Sequence, residues 1–458
     1  MLLARRRCAP MATTMPNAAA FSGAATASQP AEGIAKDRDL APLRPPVLAD
    51  AEVFALAQRY LTPNYKNSSI VFSHGDGPWN IATDGRRYLD MSAGVAVNAL
   101  GHGHPDLVAA IAEQSARLVH QSNYWHNQHA AVLAADLCQR FETAVLNTTG
   151  KTEQSRVFFC NSGAEGTEAT VKTARRYHAR ILGKARPGIV TVQGSFHGRT
   201  YAAMTATAQP KYQDGFEPLV PGFRYAKFGD LASIAAQIDD TVGAVLIEVV
   251  QGEGGVCVAP PGFFKELRQL CDDRGVLLCL DEVQTGIGRT GTFFAFEQEG
   301  IAPDIVWLAK ALGGGIPVGA MIAREAVAQA LQPGTHATTF GANALCMYVG
   351  RVVLGVIDRD DLVGNARRMG DLLLRELKTA FAGRAYVVDI RGRGLMCGVQ
   401  IRGDVKAVIE VARSKGLLVS LAGSDVVRLT PPLVIGREHV EFAVSHLLAA
   451  AEQVLANA

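Results

Sequence analysis

From about residue 157 the chain falls into short apolar, β-branched runs. These are Val157–Phe159, Ile189–Val192, Ala244–Val250, Val276–Leu280, Ile305–Leu308 and Val318–Ile322. Several are separated by stretches with helical spacing, such as Glu165–Leu182, and Gly262–Arg274 stopped by Gly275. Apolar runs of strand length that alternate with helices predict a mostly parallel sheet covered by helices on both faces, an α/β architecture. Upstream, Pro78–Asp90 predicts a hairpin, with Trp79-Asn80-Ile81 and Tyr88-Leu89 on either side of an Asp84-Gly85 turn. A short helical pattern runs from Val53 to Tyr60.

Beyond Gly341 the texture changes. Helical patterns at Leu345–Ile357 and Asp371–Phe381 lead to strand patterns at Val387–Ile390 and Leu395–Ile401. A helix over Asp404–Ser414, a strand at Val426–Leu429 and a final helix from Arg437 to Leu455 follow. The expected organisation is a leader and linker over 1–45 and an N-terminal segment over 46–95 that joins a smaller domain. A large domain over 96–345 and a smaller α+β domain over 346–458 complete it.

Composition adds exclusions. At 458 residues and 48% hydrophobic, the chain can bury a large core and is not disordered over most of its length. Forty-five Lys+Arg against 43 Asp+Glu give no electrostatic reason to expect nucleic acid or an anionic membrane as partner. The most apolar stretches are interrupted by Glu248 and Lys310, short of the roughly 20 residues a membrane span needs. Eight cysteines without a C-x-x-C pair read as reduced thiols rather than a disulfide framework. Arg5, Arg6 and Arg7, then a run rich in Ala, Ser, Thr and Met with no acidic residue before Glu32, have the character of a transit peptide. Such a leader predicts the matrix of a mitochondrion or plastid; a misplaced start, with Met11 or Met15 as the true one, predicts the cytoplasm.

Three sites carry chemistry. Phe158-Phe159-Cys160-Asn161-Ser162-Gly163-Ala164-Glu165 passes from strand to helix through small residues, which offers free N–H groups and a positive helix end to a phosphate; Ser162 is equally an ordinary N-cap. Leu278-Cys279-Leu280-Asp281-Glu282 ends an apolar strand in an acidic pair. A carboxylate there meets either a functional cation or a structural arginine. Trp307-Leu308-Ala309-Lys310 places one lysine before Gly313-Gly314-Gly315. Desolvation would make it a neutral nucleophile, and a snorkelling surface lysine is the alternative. Phosphate seat, buried carboxylate and desolvated lysine on one sheet suit pyridoxal phosphate (PLP), with the lysine forming the Schiff base and the carboxylate meeting the pyridine nitrogen. By contrast, Gly150-Lys151-Thr152 lacks the first glycine of a P-loop, Gly392-Arg393-Gly394 lacks the third of a dinucleotide fingerprint, and His120, His126 and His129 lack metal-ligand spacing.

The strings NSGAEGTEATVKTARRYHAR, SFHGRT, QGEGGV, LDEVQTGIGRTG, LAKALGGGIPVGA, TTFGAN and VRLTPPLVI occur in this order between Tyr60 and the C-terminus. In this the chain resembles the class III, fold-type I, PLP-dependent aminotransferases. GVAVNALGHGHP and the 243–323 block most resemble the acetylornithine enzymes. The resemblance implies that Lys310 binds the cofactor and shuttles the proton, and that Asp281 keeps the pyridinium protonated. It places Gln284 near the phenolic oxygen and Val283 and Phe196 on the two faces of the ring. Ser162, Gly163 and Ala164 would take the phosphate together with Thr339 of a neighbouring subunit, which implies a homodimer with shared active sites. Arg199 and Arg428 would bind substrate carboxylates, Glu253 would pair with Arg428 while the amino donor is bound, and Thr338 would add a substrate contact.

The implied reaction moves the δ-amino group of N2-acetylornithine to 2-oxoglutarate, giving N-acetylglutamate 5-semialdehyde and glutamate in arginine biosynthesis. Ornithine, succinylornithine and 4-aminobutyrate transamination are the alternatives within the class. Small residues at Gly94-Val95, where ornithine enzymes place a tyrosine, leave room for an acyl group. The chain departs from the family pattern at Val249, where proline is usual, and at Ala342 and Ala344 in the TTFGANA segment. A non-catalytic relative would have lost Lys310 or Asp281, and both are present.

Overall fold

The computed structural model describes residues 45–455; the leader expected over the first residues lies outside the described residues. A seven-stranded sheet forms the centre, in the order Ser155–Cys160, Gly319–Arg324, Ile305–Leu308, Leu277–Asp281, Val242–Glu248, Gly188–Val192, Phe223–Ala226. Six strands run parallel, and only Gly319–Arg324 runs against its neighbours. Successive side chains of the central strands enter two different cores. Val245, Ile247, Leu278, Leu280, Val306 and Leu308 pack on one face, whereas Ala244, Leu246, Leu277, Cys279 and Trp307 pack on the other. Burial on both faces explains why these strands read as unbroken apolar runs instead of an alternation.

The strands follow the sequence pattern within a few residues, with differences at their ends. The run expected at Ala244–Val250 stops at Glu248, and Val250–Gln251 forms a separate ribbon with Cys257–Val258. The edge strand Phe223–Ala226 carried too little apolar sequence to be noticed. The helix expected over Glu165–Leu182 is α-helical at Gly163–Arg176 and widens into a π turn at Tyr177–Ile181. There the buried His178 ring lies 2.8 Å from the Gly243 carbonyl. The helix expected to begin at Asp371 begins nine residues earlier, at Leu362, where the Asp361 carboxylate accepts from Gly364 N.

The hairpin forms as its turn signal predicts, Trp79–Ala82 against Arg87–Asp90, and Phe72–Asp76 extends it. Its inner strand continues into the C-terminal part of the chain, because Leu89 pairs with Leu417 in parallel register. Beside it lies a four-stranded antiparallel sheet, Val387–Arg393, Met396–Ile401, Val426–Leu429, Ser420–Ala422. Helices Leu362–Ala380, Val405–Ser414 and Arg437–Leu455 belong to the same region. Thr430 N donates to Met91 O at 2.7 Å and Leu433 N to Ala99 O at 2.7 Å, so the chain after Arg428 is tied to the 91–99 loop. No helix among the described residues is long and apolar enough to cross a membrane.

Candidate active site

The carboxyl ends of the central strands open on a cavity of about 450 Å³. Asp281 closes its strand at 5% exposure and shares a 2.8 Å hydrogen bond with His197 Nδ1, while its other oxygen accepts from Val283 N at 3.0 Å. Burial alone would lower the His197 pKa, yet the hydrogen bond and negative charge of Asp281 outweigh it, and the imidazole is raised. The Asp281 carboxylate thus meets the His197 imidazole as its hydrogen-bond partner in the buried interior. Glu248 stands opposite Asp281 in the neighbouring strand. Its carboxylate accepts from Phe196 N at 3.1 Å and Gly252 N at 3.3 Å, and burial pushes it up to about 7.

Lys310 begins the short turn Lys310–Gly313 with φ at 39°, a left-handed conformation uncommon outside glycine and characteristic of functional sites. Burial lowers its amine from the ordinary lysine value to about 8; Glu253 and Asp281 resist that fall, and Arg428 adds to it. Its side chain is half-buried and lines the cavity.

Across the cavity, helix Gly163–Arg176 points its N-terminus inward. Ser162 caps it, its hydroxyl accepting from Glu165 N at 3.2 Å, so the capping role expected for this residue is present. Gly163 and Ala164 begin the helix, where N–H groups have no partner within the helix itself. A Cβ at Gly163 would come within 2.8 Å of the Val283 methyls, and one at Gly198 within 2.6 Å of the Ala164 Cβ. These glycines keep the cavity floor thin. Phe196 and Val283 both face the cavity.

Two arginines serve the remaining walls. Arg428 is 2% exposed; Nη1 donates to Glu253 at 2.5 Å and lies 3.4 Å from Gln284 Oε1, and Nε donates to Ser420 at 3.1 Å. Gln284 packs so closely on Gly252 that a Cβ there would meet its Oε1 at 1.9 Å. Arg199 is exposed at the rim, its guanidinium 4.0 Å from the centre of the Tyr212 ring.

Thr338 and Thr339 are not in this cavity. They line a neighbouring one with Asn161, Glu165 and Phe340, and the Thr338 hydroxyl accepts from Asn161 Nδ2 and Gly341 N, both at 3.2 Å. Gly94 and Val95 also fall outside the cavity wall, which this loop reaches through Val97 instead. Ala93, Gly94, Val95 and Ala96 are all left-handed, and that path turns Val97 inward. The sequence reading missed His197 and Glu248. His197 stood within SFHGRT between two residues already singled out, and Glu248 ended the strand whose register faces Asp281.

The family model for aminotransferase class III matches residues 60–451. This chain belongs to that family. The aminotransferase is 45% identical over 412 residues to an acetylornithine aminotransferase of Xanthomonas axonopodis pv. citri, covering 87% of this chain and 97% of the relative. Among solved structures, the N-acetylornithine aminotransferase of Stenotrophomonas maltophilia K279a superposes with a TM-score of 0.74 at 35% identity, covering 88% of this chain and 100% of that one. The ornithine aminotransferase of Toxoplasma gondii, which carries PLP at partial occupancy in its active site, superposes with a TM-score of 0.83 at 30% identity over 89% of this chain and 96% of that one. The enzyme uses PLP, and the donor set suits it: a helix N-terminus for an anion, a buried carboxylate for a ring nitrogen, and a lysine of lowered pKa for a carbonyl.

The Lys310 value predicts how the apoenzyme takes up its cofactor. Below about 8 the amine is protonated and inert; above it the amine is neutral and nucleophilic. The rate of PLP attachment, followed by absorbance from pH 7 to 10, is expected to climb and level off near 8. A rate still climbing past pH 9.5, as for an ordinary lysine, would contradict a desolvated Lys310.

Proposed function

We propose that this enzyme transfers the δ-amino group of N2-acetylornithine to 2-oxoglutarate in arginine biosynthesis. The observation that carries this reading is the Arg428–Glu253 pair, a buried cation already neutralised beside Gln284 and the cavity that holds Lys310. With the pair closed, Arg428 is neutralised by Glu253 and the pocket accepts a neutral acylamino group; with it open, Arg428 is free to clamp a carboxylate in bidentate fashion. One pocket then serves an acylated donor and a dicarboxylic acceptor in turn. The likeness to acetylornithine enzymes over nearly their whole length supports the same choice, as does the small apolar Val97 at the wall.

PLP, when bound, supplies an electron sink for the carbon that loses its proton. The residues of the chain do the rest. Lys310, its amine lowered to about 8 and so more readily freed of its proton than an ordinary lysine, would take the proton from the substrate carbon and return it to the other side of the transferred nitrogen. Asp281, hydrogen-bonded to His197, would meet the ring nitrogen and hold a proton there. Gly163 and Ala164 N–H groups and Ser162 would receive the phosphate, Phe196 and Val283 would flank the ring, and Gln284 would stand near its phenolic oxygen. Arg199 binds the distal carboxylate at the rim.

The reading includes a homodimer. Tyr124 is 93% exposed, Trp125 71% and Phe340 63%, and Phe340 adjoins Thr338 and Thr339. Large exposed aromatics next to two hydroxyls suit a second copy of this chain, which would receive Thr339 at its phosphate seat and Thr338 at its substrate.

The substrate test compares kcat/KM for N2-acetylornithine and ornithine as donors to 2-oxoglutarate. A preference for the acetylated donor of about tenfold or more, roughly 1.4 kcal/mol in the transition state, is expected; preference for ornithine would overturn the substrate and leave the family intact. For the dimer, sedimentation of the purified enzyme is expected to give twice the chain mass of 48.7 kDa, and mixing Thr339→Ala with Lys310→Ala is expected to generate active sites that neither variant alone possesses in that number. A monomer with full activity would end the shared-site reading.

A further inference from the structure

Arg289 carries a charge that no acidic group of the described chain neutralises. It lies in the turn after Asp281–Gln284 and is 1% exposed. Its Nη1 donates to the carbonyls of Leu395, at 3.1 Å, and Pro431, whereas Nε and Nη2 have no hydrogen-bond partner. Its own carbonyl accepts from Leu395 N at 2.9 Å. Burial pushes its guanidinium down to about 9. A buried cation with unmet donors is costly, and an apolar side chain would fill the same space without that cost. An arginine adds one thing a methionine lacks: a rigid terminal group that holds two carbonyls of separate segments at once.

Those two segments hold Arg428. Leu395 precedes the Met396–Ile401 strand, in which Gly398 stands opposite Arg428. Pro431 lies three residues past Arg428, and Arg289 lies five residues past Gln284, which itself approaches Arg428. We propose that Arg289 is a positioning residue: by clamping the carbonyls of Leu395 and Pro431 it sets where Arg428 stands over the cavity, and so governs capture of the dicarboxylic acceptor more than reaction of the amino donor. This rests on the reading of Arg428 given under the proposed function.

The test follows the two half-reactions of the holoenzyme separately, by cofactor absorbance, for Arg289→Met, Arg289→Lys and Arg428→Ala. In Arg289→Met, kcat/KM for 2-oxoglutarate is expected to fall about tenfold or more while the donor half-reaction stays within about threefold. Arg289→Lys, which keeps donors for the carbonyls, is expected to recover part of the loss. Parallel losses in both half-reactions, or an acceptor half-reaction within about threefold of the parent, would overturn the clamp. Should Arg289→Met fail to fold, Arg289→Lys decides alone: an acceptor-selective loss supports the clamp and an equal loss overturns it. Arg428→Ala separates the two ideas. An acceptor-selective loss there without one at Arg289 removes only the clamp, whereas no selective loss at Arg428 removes the reading beneath it.

Discussion

The site depends on seating a hydrogen-bonded carboxylate inside a sheet. Asp281 ends a strand buried on both faces, where an uncompensated charge would cost several kcal/mol. His197 offsets that cost through a 2.8 Å hydrogen bond and its own raised pKa. His197 is held in turn: Thr207 Oγ1 accepts from its backbone N–H at 2.8 Å, and Thr167 Oγ1 donates to its carbonyl at 2.8 Å. Because Thr167 belongs to the helix that begins at Gly163, the network fixing the charge also fixes the helix end expected to take the phosphate. Glu248 extends it, joining the Phe196 backbone to the Gly252–Glu253 turn.

The second constraint concerns what the pocket admits. Arg428 comes from the antiparallel sheet and Glu253 from the loop after the central Val242–Glu248 strand, so one ion pair joins two parts of the molecule. A pair of this kind, once broken by substrate, must leave Arg428 in place to be of use. That requirement accounts for the ties around it: Ser420 on its Nε, Gln284 near its Nη1, Thr430 bound to the 91–99 loop, and Arg289 on the Pro431 carbonyl three residues on. Left-handed backbone at Lys310 and across Ala93–Ala96 lies in the two segments that bring Lys310 and Val97 to the cavity, consistent with strain being retained where it places functional groups.

Much of this was legible in the residues. Runs such as Leu277–Leu280 and Ile305–Leu308 announce strands because both faces are buried, and Lys310 announces itself by apolar flanks and following glycines. Edges and junctions were harder. Phe223–Ala226 is an edge strand with only one buried residue, and the antiparallel sense of Gly319–Arg324 leaves no mark on its sequence. His197 was hidden because its partner lies 84 residues away and meets it only through folding. Val97 lines the cavity after a run of left-handed residues at Ala93–Ala96, and alanine and valine do not advertise that conformation. Thr338 and Thr339 are legible as hydroxyls, but their place outside this chain's own cavity follows from tertiary geometry alone.

The buried Asp281 carboxylate is the group on which the chemistry turns, and Asp281→Asn isolates it, since asparagine keeps the volume and removes the carboxylate. The expected result is a folded enzyme that still attaches PLP at Lys310 but turns over N2-acetylornithine and 2-oxoglutarate slower by on the order of 10²-fold or more, the scale of loss when one preorganised charge is removed from a reaction centre. Turnover within about tenfold of the parent, with the fold unchanged by circular dichroism, would contradict the claim that this buried carboxylate drives the chemistry.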